Sequence, residues 1–363
     1  QASNLPDPYD PTPIGRGIGV YYTDLKWGGM SFAILEDRKF KTGPEEVIDR
    51  RKARSGKPSE FDPMDFDVPG AKLLGDRQLK FLREWATDWE DAEMKSVLSQ
   101  TIFAQSANYG EKHGGIIRYD FDSNGWPQTG RNKALREIRK SYSCMVGGDQ
   151  HLGSVIHHGI ENWNDAGYSF CVPSIANYWR RWWEPPVPGN NRKKGDPEYT
   201  GEFLDGFHNK ITYYAVANPE LPDVAAGREL STRSAGFGVV RFNKPNREIT
   251  FECWPRNVDI TDPTSLQYPG WPITIKQTDN FKIEEGFELP RLEISEPDQV
   301  VTVVESSSGE TVSSLRIKGQ SYQPKVILPG NYNIIVGESG NQKKLSGIEA
   351  KVKNKETLKI SLN

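Results

Sequence analysis

SCMVGGDQHLGSVIHHG, residues 143–159, runs from a short apolar segment into paired glycines and then sets Asp149 and His151 two residues apart. An apolar run that ends in a glycine loop bearing a carboxylate and an imidazole reads as a strand followed by a functional loop. The glycines let the backbone turn sharply enough for both side chains to face one cation. The competing reading is a polar loop with a structural histidine. His157 and His158 fall within SVIHHGI, which alternates like a strand, and a structural role suits them better than ligation.

Working outward, the pattern repeats. On the N-terminal side, GRNKALREIRKSYS places Ala134, Leu135 and Ile138 at helical spacing, and MKSVLSQTIFA reads as a buried strand. GDRQLKFLREWATDWED spaces Leu79, Leu82, Trp85, Ala86 and Trp89 as a helix, with Asp76 as its expected N-cap. GVYYTDLKWGGMSFAILEDRKFK predicts two strands, over 20–25 and 30–35, joined at Trp27, Gly28 and Gly29. Helix, strand, loop, helix, strand, loop is the order of a layered α/β fold, whose functional groups gather at strand ends. Residues 1–19, rich in Pro, Asp and Gly, read as an irregular arm.

On the C-terminal side, ITYYAVA, GFGVVRF and EITFECW predict strands, and 259–286 reads as an extended linker. From 287 onward, alternating β-runs are separated by Gly, Ser and Asn turns, which predicts a small all-β sandwich over 287–363.

The 363 residues carry 46 basic and 49 acidic side chains, 36% hydrophobic and 26% charged residues. A net charge of -3 gives no basic field for nonspecific nucleic-acid binding, and no apolar run approaches the length of a membrane helix. Three widely spaced cysteines form no CxxC zinc motif. HExxH, GxSxG and GxxxxGK[ST] are all missing, which argues against a zincin, an α/β-hydrolase and a P-loop enzyme. GRGIG opens no helix and is no nucleotide fingerprint. The chain begins QASNLPDPYD, with neither Met nor an apolar leader, as a mature form or part of a longer protein would.

RYDFDSNGWPQTGR, residues 118–131, groups Asp120, Asp122, Asn124 and Arg131 around one turn. Its oxygens could reach a hard cation and its arginine could fork onto an anion, or the turn could simply cap the next helix. Trp126 on this turn is a candidate substrate-binding residue, and His113, after the strand at 94–104, is a candidate by position. His208 in DGFHNK reads as structural. YWRRWW, residues 178–183, could stack a sugar or a partner, or pack a helix on the core.

In order, YYTDLKWGGMSFAILEDRKFK, LLGDRQLKFLREW, MKSVLSQTIFA, DSNGWPQTGRNKAL and MVGGDQHLGSV, then FECWPR more loosely, resemble the latter half of the alkaline phosphatase D (PhoD-like) branch of metallophosphoesterases. The resemblance spans residues 10–256. It implies a central β-sandwich flanked by helices and hydrolysis of phosphate mono- or diesters with calcium, iron or related di- or trivalent cations. It implies metal roles for Asp149, His151, Asp122 and Asn124, and catalytic, phosphate-side roles for Arg38 and Arg131. The family's earlier metal blocks precede the strand resembling GMSFAILEDR and do not occur in this chain. The expectation is therefore the C-terminal half of a metallophosphoesterase-like domain over 20–258, completed by a second chain or N-terminal fragment. A noncatalytic carbohydrate- or surface-binding derivative is the alternative. VILPGNYNIIVGES resembles transthyretin-like or Ig-like modules of secreted enzymes, which implies an extracellular or periplasmic location.

Overall fold

The computed structural model describes residues 22–49, 62–108, 120–176, 181–218, 234–338 and 340–362. The arm at 1–19, His113, Tyr178 and Trp179 lie outside them. Strand is 37% and helix 13%, so the fold is β-rich, with less helix than an evenly alternating α/β pattern would give.

The first hairpin joins β1 (Thr23–Trp27) to β2 (Met30–Ile34). Its two-residue loop is Gly28-Gly29, both at positive φ (57° and 77°), a geometry that matches strand twist and favours glycine. α1 (Pro44–Val47) is a single turn. α2 (Gly75–Thr87) buries Leu82, Trp85 and Ala86, as the spacing predicts, together with Phe81; Leu79 is half-buried and Trp89 lies beyond the helix end. Its N-cap is Leu74 without a side-chain bond; Asp76 sits inside the first turn, where its charge faces the positive helix end. β3 (Met94–Thr101), α3 (Gln128–Arg139), β4 (Cys144–Gly148) and β5 (Ser154–His158) follow the predicted order.

β6 (Tyr168–Cys171), β7 (Gly201–Leu204) and β8 (Lys210–Val216) complete an eight-stranded sheet in the order β1-β2-β3-β4-β6-β5-β8-β7. β2, β3, β4 and β6 run parallel, and the remaining pairings are antiparallel. One face packs on the helices, with Ala33, Val97 and Met145 against Leu82, Trp85, Leu135 and Ile138. The other carries a three-stranded sheet of β9 (Gly236–Asn243), β10 (Glu248–Pro255) and β11 (Ile273–Lys276). Phe170 meets Phe251 and Trp271 between the two sheets, at 5.7 and 5.2 Å between ring centres. β11 lies within 259–286, so that segment contributes a paired strand and the buried Ile275.

Beyond 286 come β12 (Phe287–Glu288), β13 (Arg291–Ile294), β14 (Val300–Glu305), β15 (Thr311–Arg316), β16 (Ser321–Tyr322), β17 (Lys325–Val326), β18 (Asn331–Glu338), β19 (Asn341–Glu349) and β20 (Thr357–Ile360). They form a four-stranded sheet, β15-β14-β18-β19, a three-stranded sheet, β16-β13-β20, and the pair β12-β17. Their core crosses the compositional boundary and takes in Trp89, Ala92, Tyr142 and Phe281. Trp89 donates its indole N–H to Ser314 Oγ at 3.0 Å, and Arg316 donates to the carbonyls of Ala92 (2.7 Å) and Trp89 (2.9 Å).

His157 and His158 are buried in β5, and His157 stacks on Tyr168 with 3.9 Å between ring centres. Burial pushes the His157 pKa down to about 3 and that of His158 well below its usual value. Both therefore stay neutral in the folded chain while the unfolded chain takes up protons below about pH 6.5. Stability should be unaffected by this pair above that pH and fall as pH drops from about 6.5 toward 3, by about 1.4 kcal/mol per pH unit for each histidine. Denaturant midpoints at pH 7, 6, 5 and 4 test this; His157→Phe should flatten the slope, and an unchanged slope counts against the assignment.

Candidate functional site

β2, β3 and β4 are neighbours and parallel, so the residues just past their C-terminal ends share one edge of the sheet. Glu36, Asp37 and Arg38 follow β2, Thr101 closes β3, and Asp149 follows β4. The turn after β2 is clamped to α2: Gln78 Nε2 donates to the Glu36 carbonyl (2.6 Å), and the Glu36 N–H donates to Gln78 Oε1 (2.9 Å). Glu36 Oε1 then accepts the N–H groups of Arg38 (3.0 Å) and Lys39 (3.1 Å), which fixes the arginine's departure.

Arg38 spans the site. Nη1 donates to Asp122 Oδ1 and to the Asp122 carbonyl, each at 2.7 Å. Nη2 donates to Asp149 Oδ2 and Thr101 Oγ1, also at 2.7 Å, and Thr101 Oγ1 donates to Asp149 Oδ2 at 2.9 Å. Burial disfavours the guanidinium charge, yet Asp122, Asp149 and Asp37 outweigh that cost and raise its pKa. Lys41 donates to the carbonyls of Phe121 (2.6 Å) and Ser123 (2.7 Å), holding the Asp122 loop in place. Burial, then the nearby Arg38 charge, lowers the Lys41 pKa to about 8.

Asp37 is the residue that pattern reading passed over. It is wholly buried, and its Oδ2 accepts from Ser99 Oγ (2.8 Å), the Thr101 N–H (3.1 Å) and Asn124 Nδ2. The signal for it is present in LEDR: an acid directly after a buried parallel strand. Among the described residues, Asp37 Oδ1 and Asn124 Oδ1 are buried without a hydrogen-bond partner. Both are oxygen donors of the type that hard cations accept. Among the described residues, no three His, Cys, Asp or Glu side chains converge as a metal-holding group.

Asp149 and His151 both take left-handed backbone (φ 68° and 52°), so the glycine-flanked loop turns as its composition predicts. Arg131, Trp126 and Trp183, by contrast, are packed. Arg131 is 1% exposed and donates to the carbonyls of Phe103 (2.8 Å) and Gly159 (3.0 Å), with His158 Nδ1 at 3.2 Å; burial lowers its pKa to about 10. Those bonds turn its guanidinium toward internal carbonyls, where it presents no open fork to a phosphate. Trp126 is 0% exposed, donates to the Phe66 carbonyl (2.6 Å) and meets Phe121 edge-on, so it packs this turn and offers a substrate no surface. Trp183 is buried and stacked on Tyr213 at 4.4 Å, and 181–183 is not helical. His208 is exposed, with Asp62 at 3.9 Å.

No family model matches the chain. No curated protein matches it either. A solved structure described as "Structure of PhoD" is similar to it at 20% identity with a TM-score of 0.33, covering 46% of this chain. The alignment spans 32% of the length of that protein.

Proposed function

We propose that this chain supplies part of the active site of a metal-dependent phosphoester hydrolase, completed by residues on another segment or chain. The observation that supports this reading is Arg38 bridging Asp122 and Asp149 at 2.7 Å on the shared edge of three parallel strands. Two carboxylates around one guanidinium form a cation site whose present occupant is a side chain. Asp149, Asp122, Asn124 and Asp37 would supply oxygen to a bound cation, with His151 two residues beyond Asp149. The cation would polarise a phosphoryl oxygen and lower the pKa of a bound water. The Arg38 fork, whose planar geometry suits phosphate oxygens, would be the group of this chain that pairs with the ester's phosphate.

The same bridge favours a second reading, in which Arg38 is the permanent counterion of a noncatalytic derivative. Assays with p-nitrophenyl phosphate and bis-p-nitrophenyl phosphate separate the two. The isolated chain should be inactive, because hydrolytic cations usually need three or more protein ligands. The completed assembly should turn over one of the esters with added calcium and iron and lose that activity in EDTA. Activity in the isolated chain would overturn the incomplete-site argument, and an assembly inert under every metal condition would favour the derivative.

A further inference from the structure

The loop joining β5 to β6 lies at the opposite end of the sheet from Asp149, because β6 runs parallel to β4 and β5 runs antiparallel to β6. There a cleft of about 600 Å³ opens between this loop, β7 and the segment at 282–285, with Ile327 of the C-terminal unit on its wall. That volume is in the range of small-molecule sites, which favour such junctions. We infer that this cleft binds a neutral saccharide.

The argument starts from how the loop is built. Asp165 accepts the N–H groups of Ile160 (2.6 Å), Glu161 (3.1 Å) and Asn162 (3.0 Å), and this ring of bonds presents Asn162, Trp163 and Asn164 to the cleft. Trp163 is half-buried and, among the described residues, has neither a hydrogen bond nor a ring contact. Asn164 Oδ1 is buried and has no hydrogen-bond partner among the described residues. Across the cleft, the Asn190–Glu202 bridge pins the facing loop to β7, and Asn191 Nδ2 donates to Glu202 Oε2 at 2.7 Å.

An aromatic face without a partner, flanked by side-chain amides and a carboxylate that is 8% exposed, suits a ligand with C–H faces and many hydroxyls. Charge narrows the class further. Lys282 is already paired with Glu284 (2.6 Å), and Asp165 with Arg139 (3.3 Å). The remaining charges lining the cleft are Glu202 and Glu285 against Lys193, an acidic balance that disfavours a phosphorylated ligand. The site is independent of the phosphoester reading.

Calorimetry on the whole chain in EDTA, with maltotriose, cellotriose, xylotriose and chitotriose as probes, tests the inference without metal chemistry. At least one should bind with Kd of roughly 0.1 to 1 mM. Trp163→Ala should weaken that binding by about tenfold or more with the thermal midpoint unchanged, since stacking is lost from a residue that packs on no other ring. Glu202→Gln, which keeps the size of the side chain, should weaken it several-fold. Neither variant should alter hydrolysis by the completed assembly. Failure of all four trisaccharides to bind, or undiminished binding by both variants, overturns the saccharide site and leaves the Arg38 site untouched.

Discussion

Asp149→Asn should abolish phosphoester hydrolysis in the completed assembly, by roughly a thousandfold or more, while the thermal midpoint moves little. A carboxylate on a catalytic cation contributes charge that an amide cannot, and several kcal/mol of lost transition-state stabilisation corresponds to about three decades in rate. The fold is insulated because Asp149 is one-third exposed and its loss leaves Arg38 bonded to Asp122 and Thr101. Exposed ion pairs of this kind contribute about 1 kcal/mol or less. Asparagine also tolerates the left-handed backbone at this position. Rates for both p-nitrophenyl esters, beside a melting curve, decide the matter. Wild-type turnover in this variant would remove Asp149 from the site.

The second large effect is on stability. Trp89→Ala should cost about 3 to 5 kcal/mol, as large buried aromatics do when truncated. Trp89 is 2% exposed, bonds Ser314 across the junction, and its ring takes the buried Lys95 ammonium at 4.7 Å. Lys95 is held to the Trp85 carbonyl, and burial lowers its pKa to about 7. Removing the indole therefore leaves a cavity, one hydrogen bond fewer at Ser314 Oγ, which keeps Thr302 Oγ1 at 2.8 Å, and a less shielded cation together. Because the core around Trp89 belongs to both units, denaturant unfolding should stay a single transition at a lower midpoint. A loss below about 1 kcal/mol would mean that the junction is held by its polar contacts instead.

What the sequence made legible tracks how strongly each element advertises its period. The hairpin at Gly28-Gly29 and the helices around Leu82 and Leu135 were readable because apolar spacing and turn chemistry agree. YSFC was not: four consecutive buried residues in a strand flanked on both sides have no alternation to detect. NQKKLSGIE, in β19, fails for the opposite reason, since this edge strand exposes nearly all its residues and its lysines mask the pattern. The loops of Asp122 and Asp149, singled out by their glycines and acids, both reach the Arg38 guanidinium. The roles of Arg131 and Trp126 were not legible, because burial is set by tertiary packing. Asp37 carries its signal in LEDR, an acid directly after a buried strand, but its partners Ser99, Thr101 and Asn124 emerge only from the folded chain.

The left-handed turn at Asp149 and His151 limits which variants of this protein can exist. A residue held at φ 68° is restricted by its own backbone before any ligand is considered, and bulky or β-branched side chains are strained there. Mutational drift at these two positions is therefore channelled toward glycine, asparagine, aspartate and histidine, three of which bear metal- or hydrogen-bonding groups. The loop is biased to keep polar chemistry at the sheet edge even in descendants under no selection for catalysis.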